Sequence, residues 1–215
     1  LTNIYPNFID AEFRDWLLWY WNHLPDRVDT GQKYRAFLHH RLPWTQQLYT
    51  KLRELINPYE QNFDISTAYL SDDYLPGGVH SDGWIQGFPE IISRTYLIPL
   101  DYHGDQHTIV FKETHEEAIT FNAHTGMDNA GIVHYRQANP QEYLPDREMH
   151  ITDEFYQQYL RHLSRDGLRG LHVDSVLSWQ PRAAVTWPRR NFHCGGYFPR
   201  HQRRFGLIIM TCATN

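Results

Sequence analysis

Cysteine and methionine are scarce in this sequence, with two Cys and three Met among 215 residues. Cys194 and Cys212 cannot build a disulfide framework, and so sparing a usage fits a reducing, cytoplasmic compartment. Long apolar runs are missing as well. No stretch approaches the roughly 18 residues that a membrane-spanning helix needs. The N-terminus shows no signal-peptide pattern of basic flank, apolar stretch and small-residue cleavage site. Positive charge is in deficit, with 20 Lys and Arg against 25 Asp and Glu, so the chain as a whole has no attraction for nucleic acid or an anionic membrane. What is abundant is aromatic. Seven Trp, 14 Tyr and 11 Phe stand in a chain that is 41% hydrophobic, enough apolar side chain for one sizeable core.

Apolar residues at three- and four-residue steps predict a helix from Asp10, as N-cap, to about Leu24, and a second from about Thr45 to Ile56, stopped by Asn57-Pro58. A third is expected from about Asp153 to Ser164, capped by Thr152. Two-residue alternation and β-branched or aromatic content predict strands at 63–70, 91–100, 106–111, 175–179, 183–187 and 205–211. The second and third of these flank a Gly104-Asp105 turn signal and read as a hairpin. The pattern implies a single domain, mainly β with flanking helices, built on a jelly-roll core. Its expected parts are a helical support at 1–62, the core at 63–112 and 170–213, and an insert of loop and helix at 113–169.

The chemistry-bearing segment is Pro76-Gly77-Gly78-Val79-His80-Ser81-Asp82-Gly83. In extended backbone, residues two apart point to the same side, so His80 and Asp82 can converge on one ion. Two His and one carboxylate on one face of an octahedral metal leave three adjacent positions open, the arrangement of non-haem Fe(II) oxygenases. A candidate third ligand is the distant His193. A second His-x-Asp, His172-Val173-Asp174, lacks the preceding Gly-Gly turn, and Asp174 is read as structural.

The ordered set His80-x-Asp82, then His193 within Trp187-Pro188-Arg189-Arg190-Asn191-Phe192-His193-Cys194-Gly195, then an arginine in Arg203-Arg204-Phe205-Gly206, resembles the 2-oxoglutarate/Fe(II)-dependent oxygenase superfamily. The likeness is to its prolyl-hydroxylase-like and phytanoyl-CoA-hydroxylase-like members. Arg94 to Leu100 and Thr108 to Phe111 resemble the two strands that follow the first metal motif. The resemblance covers roughly 63–211, without the insert, and implies a double-stranded β-helix (cupin-like) core. It implies Fe(II) held by His80, Asp82 and His193, 2-oxoglutarate as co-substrate, and dioxygen as oxidant. The implied activity is that of a hydroxylase acting on a small molecule or peptide side chain, with release of succinate and carbon dioxide. Asp82 favours hydroxylation, because related halogenases carry a small residue there.

In the family a basic residue about ten positions beyond the distal histidine pairs with the far carboxylate of 2-oxoglutarate. Both Arg203 and Arg204 fit that spacing. Arg204 is preferred, because Gly206 on its strand face leaves room beside the guanidinium, whereas Arg203 shares a face with Phe205, Leu207 and Ile209. Tyr96 and Arg94 are further candidates for contact with the co-substrate, and Trp84 and Trp187 for core or pocket wall. Arg189, Arg190, Arg200 and Arg203 cluster around His193, which suggests either an anion-binding rim or a solvated basic surface. Two other readings stand beside this one: a cupin-type metalloenzyme that uses no 2-oxoglutarate, and a metal-free jelly-roll binding module.

Overall fold

The computed structural model describes residues 1–24, 27–38, 43–83, 92–102, 105–121, 136–137, 143–199 and 201–214. Helix α1 runs from Ala11 to His23, and the Asp10 side chain accepts from Phe13 N at 2.7 Å, satisfying one of the otherwise orphaned N–H groups of the first turn. Helix α2, Pro43–Ile56, starts on a proline whose missing N–H costs nothing at that position.

Strands β1 (Asn3–Tyr5), β2 (Val28–Asp29), β3 (Lys33–Phe37), β4 (Phe63–Asp73), β5 (Val79–His80), β6 (Ile92–Tyr102) and β7 (His107–Thr114) are followed by six more. These are β8 (Ile119–Phe121), β9 (Arg136–Gln137), β10 (Val173–Ser178), β11 (Ala184–Pro188), β12 (Asn191–Gly195) and β13 (Arg204–Ala213). They make a seven-stranded sheet in the order β1-β11-β6-β13-β4-β3-β2 and a six-stranded sheet in the order β10-β7-β12-β5-β8-β9. The two sheets are the layers of a jelly roll.

Alternation assigns each strand face. On the large sheet Leu70, Tyr96, Ile98, Leu100, Leu207 and Ile209 point outward, where Leu17 and Trp21 of α1 and Leu48, Leu52 and Ile56 of α2 cover them. On the small sheet Ile109, Phe111, Phe192 and Cys194 point outward and are covered by Leu144, Ile151, Leu160, Leu168 and Leu171. Between the sheets Val110, Leu177, Val185 and Trp187 meet. The site occupies the rest of that inner space.

Several expectations need correction. β6 and β7 are not a hairpin: β6 pairs with β11 and β13, and β7 with β10 and β12, so the chain crosses from one sheet to the other between them. The first 62 residues are more than helical support, since β1, β2 and β3 extend the large sheet. β12 is a strand that its short, charged flanks concealed. Within the expected insert, β8 pairs with β5, and 143–171 forms the apolar cover of the small sheet. The third helix is short, Asp153–Phe155, capped by Thr152, and it runs on as a π-helical turn, Tyr156–Leu160.

Candidate metal centre

β12 lies beside β5 with His193 directly opposite His80, and their ring centroids are 4.2 Å apart. Each imidazole is held by its other nitrogen. His80 Nδ1 is 2.9 Å from the Gly78 carbonyl and His193 Nδ1 is 3.0 Å from the Asn191 carbonyl. A carbonyl only accepts, so Nδ1 carries the proton and the Nε2 lone pair is left for an ion. Both Nε2 atoms face Asp82: His193 Nε2 is 3.3 Å from one carboxylate oxygen and His80 Nε2 is 3.8 Å from the other. One donor atom from each of the three side chains lies within 4.8 Å of the others.

Protonation states match that use. Burial, helped by the His193 ring, pushes His80 down to about 3, so it is a neutral ligand at physiological pH. Burial alone would raise Asp82, but His193, His80 and the Thr95 hydroxyl together hold its carboxyl well below the usual carboxylate range. Thr95 Oγ1 donates to Asp82 at 2.8 Å.

Asp82 stands on a loop, and the loop is braced from two sides. The Ser81 hydroxyl donates to the Glu117 carbonyl at 2.7 Å, and Gly83 packs so tightly that a Cβ there would fall 2.2 Å from the Glu116 carbonyl oxygen. On the other side Asp82 N donates to the Arg189 carbonyl while Arg189 Nε donates to the Asp82 carbonyl, each at 2.9 Å. The same buried guanidinium donates to Ser66 and to the Thr211 carbonyl. Arg189 is therefore a brace behind the centre and is not part of an anion-binding rim. Arg190 pairs with Glu116 at 3.1 Å on the surface, and Arg203 pairs with Asp72.

Arg204 has the opposite fate to its neighbour. It is buried beside the centre, its guanidinium stacked 4.8 Å from the Trp179 ring and 4.7 Å from that of Phe198. Its Nη2 lies 3.2 Å from Asp73, which also pairs with Lys33 at 3.7 Å and accepts from the Ser71 hydroxyl at 2.6 Å. Lys33, Arg35, Asp73, Thr95, Trp187 and Arg204 line one cavity with the three metal-type ligands. Its volume is about 60 Å³.

Tyr96 and Arg94 do not reach this cavity. Tyr96 is fully buried among the residues under the helices and donates to Glu60 at 3.0 Å, while Arg94 bonds Thr186 and the Leu1 carbonyl. The residues of β6 that face inward are Thr95 and Leu97. Asp174 accepts from the Ser175 hydroxyl, a local surface bond. Trp84 and Arg200 lie outside the described residues. Lys33, Arg35, Asp73 and Thr95 are the site residues that sequence reasoning missed. The Lys33-Tyr34-Arg35 alternation was the one readable signal among them, two cations on one face of a strand.

No protein-family model matches the sequence, and a search of curated proteins finds no match. Solved structures do match. SnoN, described as the non-heme alpha ketoglutarate dependent epimerase from nogalamycin biosynthesis, superposes with a TM-score of 0.58 at 11% identity, over 99% of this chain and 78% of its own. An oxidoreductase of the 2OG-Fe(II) oxygenase family from Burkholderia pseudomallei gives 0.54 at 9% identity, over 100% of this chain and 86% of its own. HygX from Streptomyces hygroscopicus, with nickel and 2-oxoglutarate bound, gives 0.56 at 11% identity, over 99% and 83%. The fold is that of the 2-oxoglutarate/Fe(II) oxygenases.

The residues of this oxygenase fold suit both an iron ion and a dicarboxylate. Two imidazoles and one carboxylate form the donor set that leaves open positions on Fe(II). Arg204 Nε is buried with no hydrogen-bond partner among the described residues, and Arg204 and Lys33 both lean on the single carboxylate of Asp73. An incoming carboxylate would satisfy the first and balance the second.

Proposed function

We propose that this chain is a non-haem Fe(II) dioxygenase that uses 2-oxoglutarate and dioxygen. His80, Asp82 and His193 hold the iron, and Arg204 binds the far carboxylate of the co-substrate. The observation that carries the reading is the shared cavity: three ion-directed ligands and a buried arginine with a free N–H line the same small space. With both groups bound, the site supplies an oxidant for an unactivated C–H bond and releases succinate and carbon dioxide.

The protein's own contribution is placement. The Gly78 and Asn191 carbonyls hold both imidazoles in the ligating tautomer, and Thr95 holds one Asp82 oxygen in place. Arg204, pinned between two aromatic rings, presents a planar fork that matches a carboxylate. Asp82, His193 and Arg204 are buried between the sheets, which strengthens each of these charge contacts. Hydroxylation of a small molecule or a peptide side chain is the reaction we assign, since Asp82 occupies the position that would otherwise admit a halide.

The test is an anaerobic titration of metal-free protein with Fe(II) and then 2-oxoglutarate, following the weak visible charge-transfer band of a chelated complex. A band in the parent that is lost in Arg204→Ala supports the reading. Iron binding without a band favours a cupin-type metalloenzyme, and no iron binding at all removes the metal centre.

A further inference from the structure

A second group of metal-type donors stands apart from this cavity. Asp146, His150 and His172 each place one donor atom within 4.8 Å of the other two. The His150 and His172 rings stack with centroids 3.8 Å apart and planes 21° from parallel. His150 Nε2 is 2.5 Å from Asp146 Oδ2, and His172 Nδ1 is 2.8 Å from Glu113 Oε1. Glu113 also accepts from the His172 backbone N–H at 2.9 Å, which fixes the pair's orientation.

A carboxylate that accepts a hydrogen bond from Nδ1–H leaves Nε2 as the ligating atom, the usual support behind a metal-bound histidine. Two imidazole nitrogens and a carboxylate suit a borderline ion of the Zn²⁺ class, whereas Ca²⁺ and Mg²⁺ favour oxygen donors throughout.

We propose that Asp146, His150 and His172 form a second divalent-metal site, with Glu113 supporting His172. It joins three chain segments: the end of β7, the turn at 146–150, and the residue before β10. Those segments frame the cover of Leu144, Ile151, Leu168 and Leu171 over the outer face of β7 and β12. The site clips that cover onto the sheet that carries His80 and His193, so its role is to stabilise the scaffold of the first centre.

The experiment is a Zn²⁺ titration of the metal-free full chain by calorimetry, with bound metal counted by mass spectrometry. The parent is compared with His150→Ala/His172→Ala and with His80→Ala/His193→Ala, each checked for folding by circular dichroism. One equivalent is expected to vanish in the first variant and to survive in the second, together with a Zn²⁺-dependent rise in Tm. Glu113→Gln should weaken that equivalent by about 10–100-fold. If His150→Ala/His172→Ala misfolds, Asp146→Asn provides the same comparison through a partly exposed residue. A ligand variant that binds as many equivalents as the parent, with the same affinity, overturns the proposal and leaves two carboxylate–imidazole clasps. The outcome does not depend on whether the first centre takes iron, because each site is scored in the variant that lacks the other.

Discussion

A methyl group placed on Gly195 would fall 2.2 Å from a guanidinium nitrogen of Arg204. The two residues come from neighbouring layers, β12 and β13, and the glycine's missing side chain is the space that the guanidinium occupies. Gly195→Ala is therefore expected to push Arg204 out of its stack between Trp179 and Phe198 while leaving the backbone conformation accessible. Affinity for 2-oxoglutarate should fall by at least about tenfold, near 1.4 kcal/mol. Anaerobic titration of the iron-loaded variant measures it, and an unchanged affinity counts against Arg204 as the anchor.

Arg203 and Arg204 are adjacent and differ only in face. Arg203→Ala loses an ion pair with the buried Asp72 carboxylate, away from the cavity, and should leave 2-oxoglutarate affinity within about twofold. Arg204→Lys keeps the charge but loses the planar fork and the stacking, so co-substrate affinity should drop by roughly tenfold or more. If the two variants change affinity equally, the assignment by strand face fails.

Arg189 holds the Asp82 loop through bonds to the Asp82 and Thr211 carbonyls and to Ser66. Arg189→Met keeps much of the bulk and strands those acceptors, at a cost on the order of 3 kcal/mol. Urea denaturation should show that loss. Iron affinity should fall with it, because Arg189 bonds the backbone carbonyl of Asp82 and so positions that ligand.

Burial pushes Lys33 down to about 8, with Asp73 opposing and Arg35 and Arg204 adding to the shift. Below about 8 the lysine is charged in folded and unfolded chains alike, and the folded state carries the full penalty of burying it. Between about 8 and the ordinary 10.5 the unfolded chain binds the proton and the folded one does not, so stability rises with pH. The stability of the parent relative to Lys33→Met should therefore increase across that window, measured by denaturant unfolding at each pH. A difference that stays flat would place the lysine in water.

Local rules were enough for much of the molecule. The caps at Asp10 and Thr152 and the apolar steps of α1 and α2 are properties of a few neighbouring residues, and the structure places both helices within two residues of those signals. The strands of β4, β6, β7 and β13 are legible for the same reason. Helices followed by many short strands sufficed for a jelly roll with outer helices. The Gly78-x-His80-x-Asp82 segment and Arg204, two residues before Gly206, were also visible, because residue type and two-residue spacing say which side chains travel together.

The sequence by itself thus determined which residues share a face; only the tertiary structure decided which face looks inward. Alternation groups Arg94 with Tyr96 and Thr95 with Leu97, but it cannot say which pair meets the cavity. The helices settle that, since α1 and α2 need an apolar surface and take the side bearing Tyr96, Ile98 and Leu100, leaving Thr95 to reach Asp82. The same holds for partners far apart in the chain. His193 faces His80 because β12 adds beside β5, and Lys33 and Arg35 enter the cavity because β3 adds beside β4. Strand pairing of that kind is chosen by the packing of the whole core, and no short window of residues contains it.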